Sequence, residues 1–218
     1  MNKEEIINKS LVSFYHGSNT YKVLKTDKSD YDIISVVEVD FFNELKNKLL
    51  EHNQLIFKEK NNIYNIEVIS EDVFIEMLET THMIAVEFMF LPSEYIIKGE
   101  FMRTSFKDYF TLDNLRHTVS HITSNSYVKC KKKLIKDSPD YNPYIAVKSM
   151  FHAMRVAMFG IQIGHYGEIR DYTCANFIWN DLVLGKVYDW EEIVKRYKPF
   201  RNALMTEFRR LVDKNENR

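Results

Sequence analysis

The chain has 218 residues, of which 45% are hydrophobic and 14% aromatic, with a net charge of −1. That suffices for one large domain or two small ones with a buried core, and bulk charge points to no partner. Two cysteines, Cys130 and Cys174, lie far apart, which excludes a disulfide framework and a zinc motif and suits free thiols in a reducing cytosol.

In chain order, residues 2–10 read as a short helix with Ile6 and Ile7 as its apolar contacts. Leu11 to Tyr15 reads as a strand, and His16-Gly17-Ser18-Asn19 is turn chemistry. A helix or turn through Val23-Leu24 and a polar loop from Lys25 to Ser29 follow. Asp30 to Val39, rich in β-branched residues, is the clearest strand. Phe42, Leu45, Leu49 and Leu50 have helical spacing within Phe41 to His52. Gln54 to Lys58 and Ile63 to Ile69 form strands around Lys60-Asn61-Asn62. Ser70 caps a helix with acids in its first turn, running to about Thr80. Met83 to Leu91 is an apolar stretch, taken as a strand and ended by Pro92.

From about Thr111 the pattern turns helical: Leu112 to Ile135, Tyr144 to His165 up to Gly164 and Gly167, and one or two helices over Asp189 to Asp213. The expectation is an α+β fold, a small mixed sheet with flanking helices over 1–110, followed by a helical domain over 111–218. Residues 1–110 hold 12 Lys and Arg against 19 Asp and Glu, and the remainder 18 against 12. An acidic half joined to a basic half suits a metal site facing a phosphate-bearing substrate, and equally two halves that attract each other. The opening residues are polar and no apolar run approaches membrane-spanning length, so a cytoplasmic location is expected.

The chemistry concentrates in two places. Asp30 and Asp32 are spaced i, i+2, so on a strand they project to one face. Two neighbouring carboxylates repel unless they are exposed or a cation sits between them. Gly17-Ser18 offers a phosphate backbone N–H groups and a hydroxyl. An edge-strand acid pair after an ordinary turn would look the same.

Leu11-Val12-Ser13-Phe14-Tyr15-His16-Gly17-Ser18 followed by Ser29-Asp30-Tyr31-Asp32-Ile33 resembles the signature of the DNA polymerase β-like nucleotidyltransferase superfamily. The resemblance is nearest to the predicted nucleotidyltransferases of bacteria and phages. Tyr21 fills their aromatic position, and Lys22 stands where they usually have Gly. It extends more weakly to Asn65-Ile66-Glu67-Val68, to Val86-Glu87-Phe88-Met89-Phe90-Leu91-Pro92, and to His152 and Arg155.

The resemblance implies a nucleotidyltransferase core covered by a helical bundle, moving an NMP from an NTP to an acceptor hydroxyl. Asp30 and Asp32 would hold one or two Mg²⁺ ions, and Ser18 with the Gly17–Asn19 backbone the β- and γ-phosphates. A third carboxylate on a neighbouring strand is expected, with Glu67 preferred and Glu87 its rival. Either acid also fits the solvent face of an alternating strand.

Lys148, His152 and Arg155, at i, i+4, i+7, form a polar stripe continued by Gln162. It is assigned to the triphosphate or a base, or else to a solvated face. His121 and Arg116 are weaker candidates. Lys129 to Lys133 reads as a contact for a nucleic-acid backbone or, more simply, as a solvated helix end. The acceptor is an RNA end such as tRNA, a protein or a small molecule. A catalytically silent nucleotide- or protein-binding module, or a protein-AMPylating antitoxin-like enzyme, is the alternative. No Gly-x-Gly-x-x-Gly, P-loop, His-Glu-x-x-His or Gly-x-Ser-x-Gly occurs.

Overall fold

Strand formation in the first half follows the β-branched runs, and helices fill the intervals between them. The structure is a computed structural model that describes residues 1–23, 30–48, 53–59 and 62–215. The loop expected from Lys25 to Ser29, helix positions Leu49 and Leu50, and turn residues Lys60 and Asn61 lie outside the described residues. The chain divides into two compact units, Met1–Asp113 and Asn114–Arg218.

The first unit opens with α1 (Lys3–Lys9). Asn2 Oδ1 accepts from the Glu5 N–H at 2.9 Å and Glu5 Oε2 from the Asn2 N–H at 2.9 Å, a reciprocal cap. Then come β1 (Val12–His16), a single 3₁₀ turn (Gly17–Asn19), β2 (Tyr31–Val37) and α2 (Val39–Lys48). They are followed by β3 (Gln54–Glu59), β4 (Asn62–Ser70), α3 (Glu71–Glu79), α4 (Met83–Phe90), β5 (Ile96–Lys98) and α5 (Met102–Phe106). The five strands form one mixed sheet in the order β3-β4-β2-β1-β5. The β2 and β4 pair is parallel and the other pairs are antiparallel. The molecule is therefore α+β.

Alternation along the strands gives the sheet two faces. One carries Ile33, Ile66 and Val68 against Ile6 of α1 and Leu45 of α2, with the buried Ser13 and Ser35 hydroxyls hydrogen-bonded to each other at 2.7 Å on the same face. The other carries Phe14, whose ring lies 4.8 Å from Phe88 of α4; Phe88 in turn meets Phe74 of α3 at 5.6 Å. Strand pairing places Val12, Phe14 and His16 beside Val36, Ile34 and Asp32 on this second face. Along β1 and β2 the apolar residues of this face sit at one end and the polar ones at the other.

Met83 to Phe90 is a helix, where the sequence reading takes a strand. An eight-residue run that is apolar apart from Glu87 fits a buried helix as well as a buried strand, and periodicity cannot separate them. His82 decides the start: its Nδ1 accepts from the Ile84 N–H at 3.4 Å at the N-cap. The short elements β5 and α5 have no counterpart in the sequence reading.

The second unit contains α6 (Leu115–Lys133), α7 (Pro143–Tyr166), α8 (Asn176–Ile178) running into a π-helical turn (Trp179–Leu184), and α9 (Trp190–Asn215). Asn142 caps α7, its Oδ1 accepting from the Ile145 N–H at 3.0 Å, and Pro143 occupies the first turn. Gly167 ends α7 in the left-handed conformation, φ +75°. A Cβ on Gly160 would meet Phe208 at 2.8 Å and Val119 at 3.1 Å, so glycine lets α7 approach both α9 and α6 closely. Pro199 lies inside α9, which stays one helix across it. Among the described residues no helix is long and apolar enough to cross a membrane.

Candidate functional site

The polar end of the second sheet face is built by three strands. β1 ends at His16, and the chain turns at Gly17 with φ +67°. A side chain is strained at that φ, and space forbids one as well, because a Cβ there would stand 2.8 Å from Asp32 Oδ2. The Thr20 and Tyr21 N–H groups donate to the Gly17 carbonyl at 3.1 and 3.3 Å, and Thr20 Oγ1 donates to the Tyr15 carbonyl at 3.0 Å. The turn carrying Ser18 and Asn19 is thus one 3₁₀ turn folded back on the end of β1.

Asp32 lies directly across from His16 in the antiparallel pair and is half-buried. Asp30 is exposed just before β2 begins. The residue beside Asp32 in the parallel pair is Asn65, not Glu67. Asn65 Nδ2 stands 3.5 Å from Asp32 Oδ1, and its buried Oδ1 has no hydrogen-bond partner among the described residues. Glu67 pairs with Ile34 and Gln54, on the same face but a two-residue step of about 6.6 Å further along the strand. There it lines a cavity of about 210 Å³ with Asn53, Met77 and His82.

Glu87, the other candidate acid, occupies neither a strand nor a solvent face. It sits on buried helix α4 and is 3% exposed. The Tyr21 hydroxyl donates to its Oε2 at 2.6 Å, and His16 Nδ1 lies 3.9 Å from the same oxygen. Nearby His82 is held below its ordinary pKa, chiefly by burial; the Glu87 carboxylate opposes the shift and His16 adds to it.

Hard-oxygen donors suit Mg²⁺, and the polar end offers the Asp30 and Asp32 carboxylates, with Asn65 facing Asp32 through its amide nitrogen. That set fits a hard cation on chemical grounds. Among the described residues no three Asp, Glu, His or Cys side chains converge closely enough to hold a metal.

The polar stripe of the second unit is not uniform. Lys148 is exposed, with its ammonium 5.3 Å from the Tyr144 ring centre, and His152 is half-buried. Arg155 is 5% exposed, with its guanidinium 5.3 Å from the Phe151 ring centre and 5.8 Å from that of Phe159. Arg155 donates to His152 Nδ1 at 2.9 Å, which leaves the imidazole proton of a neutral ring on Nε2. Gln162 brackets a loop: its Oε1 accepts from the Arg170 and Asp171 N–H groups at 2.9 and 2.7 Å, and its Nε2 donates to the Asp171 carbonyl at 3.0 Å.

Arg116 and His121 are exposed on α6, where Asn125 Nδ2 lies 3.0 Å from His121 Nε2. Lys129 to Lys133 form the end of α6, with Lys131, Lys132 and Lys133 in its last turn, where cations complement the helix dipole. Burial pushes the Cys130 and Cys174 thiols up to about 12, so both stay protonated and unreactive at neutral pH.

Asn65 and the contact between Tyr21 and Glu87 are absent from the sequence-derived site. Asn65 follows only from the β2 and β4 register, and the Tyr21 contact spans 66 residues. No protein-family model matches the chain, and no curated protein matches it.

Proposed function

We propose that the chain is a metal-dependent nucleotidyltransferase that moves an NMP from an NTP to an acceptor hydroxyl, releasing pyrophosphate, on a polymerase β-like core. One observation carries this reading: the Gly-Ser turn lies against the second aspartate, so closely that a Cβ on Gly17 would stand 2.8 Å from Asp32 Oδ2. Two features found apart in the sequence thus form one locality at the end of neighbouring strands.

In this reading Asp30 and Asp32 would hold Mg²⁺, with the neutral Asn65 beside Asp32 on the parallel strand. The ion supplies charge stabilisation to the triphosphate and to the departing pyrophosphate. Ser18 and the Gly17–Asn19 backbone orient the β- and γ-phosphates. Glu67 shares the face of Asp32 and stands further from the turn. The acceptor is an RNA end, a protein or a small molecule.

A second reading is favoured by one specific observation: the residue paired with Asp32 on the parallel strand is the neutral Asn65. A site with fewer carboxylates suits a nucleotide-binding module that does not turn over. Mg²⁺-dependent release of labelled pyrophosphate separates the two. The enzyme reading expects release by the wild type and its loss in Asp30→Ala/Asp32→Ala; the binding reading expects nucleotide binding without release. Incubation with each labelled NTP and a cell extract then identifies the acceptor fraction.

A further inference from the structure

Glu87 is a buried carboxylate that the proposed chemistry does not use. It is the only acidic residue of α4, where Met83, Ala85, Val86 and Phe88 are also buried. The helix does not need it for anchorage, because Phe88 already packs on Phe14 at 4.8 Å and on Phe74 at 5.6 Å. A buried carboxylate costs desolvation that an apolar side chain of similar size avoids. Its hydrogen bond reaches back to the turn: Tyr21, itself 2% exposed, donates to Oε2 at 2.6 Å, the short length of a charge-assisted bond. Through its own N–H, Tyr21 donates to the Gly17 carbonyl at 3.3 Å. A connected path therefore runs from Glu87 through Tyr21 to Gly17, the residue whose missing Cβ lets the turn lie on Asp32.

We propose that Glu87 is a positioning residue for the nucleotide site: through the Tyr21 hydroxyl it pins the Gly17–Tyr21 turn and so sets the turn backbone against Asp32. This role rests on the reading that the turn and Asp32 bind nucleotide. Tyr21→Phe removes one hydroxyl and leaves the ring. Glu87→Leu removes the acceptor, and Glu87→Gln restores one without the charge.

The test combines amide hydrogen exchange with titration by MANT-ATP in Mg²⁺ on the full chain. In Tyr21→Phe and Glu87→Leu, exchange at positions 20 and 21 should rise, and exchange at Phe14 and Ile34 in the sheet should not. MANT-ATP affinity should fall about tenfold in both, the expected size for losing a hydrogen bond to a charged group, and Glu87→Gln should recover most of it. Unchanged exchange in Tyr21→Phe overturns the pin. Faster exchange with unchanged affinity overturns the positioning role. If the wild type does not bind MANT-ATP, or Asp32→Asn binds as tightly as the wild type, the nucleotide reading falls and this role falls with it. Binding that Asp32→Asn weakens and Tyr21→Phe does not overturns this role alone.

Discussion

Asp32 and Arg155 are charged residues in apolar stretches of the sequence, and the fold gives them different surroundings. Asp32 stands where a sheet face changes from apolar to polar, across from His16 and beside Asn65. Gly17 of the turn carries no side chain, and a Cβ there would stand 2.8 Å from Asp32 Oδ2. Arg155 lies inside its own unit between Phe151 and Phe159, with its guanidinium on His152. The first placement keeps a carboxylate half-buried at a surface that a ligand can reach. The second spends a charge on holding a helix core together. Charge within an apolar stretch is therefore not a sufficient sign of chemistry; what surrounds the charged atoms decides.

The two placements are told apart most readily at Arg155. Arg155→Ala removes a buried side chain packed between two rings and should lower stability by about 3 kcal/mol. Thermal unfolding checks this, whereas Asp32→Asn should unfold within about 1 kcal/mol of the wild type. If the two cost the same, the distinction between a structural and a chemical charge fails.

Gly17→Ala forces a Cβ into left-handed backbone and towards Asp32 Oδ2, and should cost about 2 kcal/mol in denaturant unfolding. An unchanged midpoint would mean that the turn is not seated on Asp32.

Asn65→Asp sharpens the account of the donor set. A carboxylate beside Asp32 adds like-charge repulsion without metal and a ligand with it. Mn²⁺ affinity by titration calorimetry should tighten about tenfold, and metal-free stability should fall by about 1 kcal/mol. Unchanged affinity would remove position 65 from the site.

The smallest effect is a pH dependence at His82, whose folded pKa lies below its ordinary 6.5. Below 6.5 the unfolded chain binds a proton that the folded chain resists, so this contribution to stability is present above 6.5 and is lost as pH falls through the window beneath it. His82→Gln should flatten that slope in denaturation measured from pH 7 downward. An unaltered slope would place the buried titration elsewhere.

The sequence shows strands and turns where side-chain pattern alone determines them. An apolar run marks β1 and the β-branched run marks β2, and the glycine of the Gly-Ser pair marks the turn, which has positive φ. Pattern does not reach two other kinds of fact. Met83 to Phe90 is apolar apart from Glu87, so nothing in its order separates a buried helix from a buried strand. Asn65 and Glu67 lie on one face of one strand, and only the register with β2 says which stands beside Asp32. For the same reason Glu87 looks like a candidate ligand in the sequence and becomes a buried partner of Tyr21 in the fold.

The proposed function joins the turn at Gly17 and the acids at Asp30 and Asp32 in one nucleotide-transferring site. Mg²⁺-dependent pyrophosphate release, measured for each NTP on the wild type and on Asp30→Ala/Asp32→Ala, tests it most directly. Release from at least one NTP by the wild type is expected, with a loss of about 100-fold or more in the double variant, the scale expected when a site loses its metal-binding charge. Equal release by the two proteins, or none by the wild type with any NTP, would contradict it.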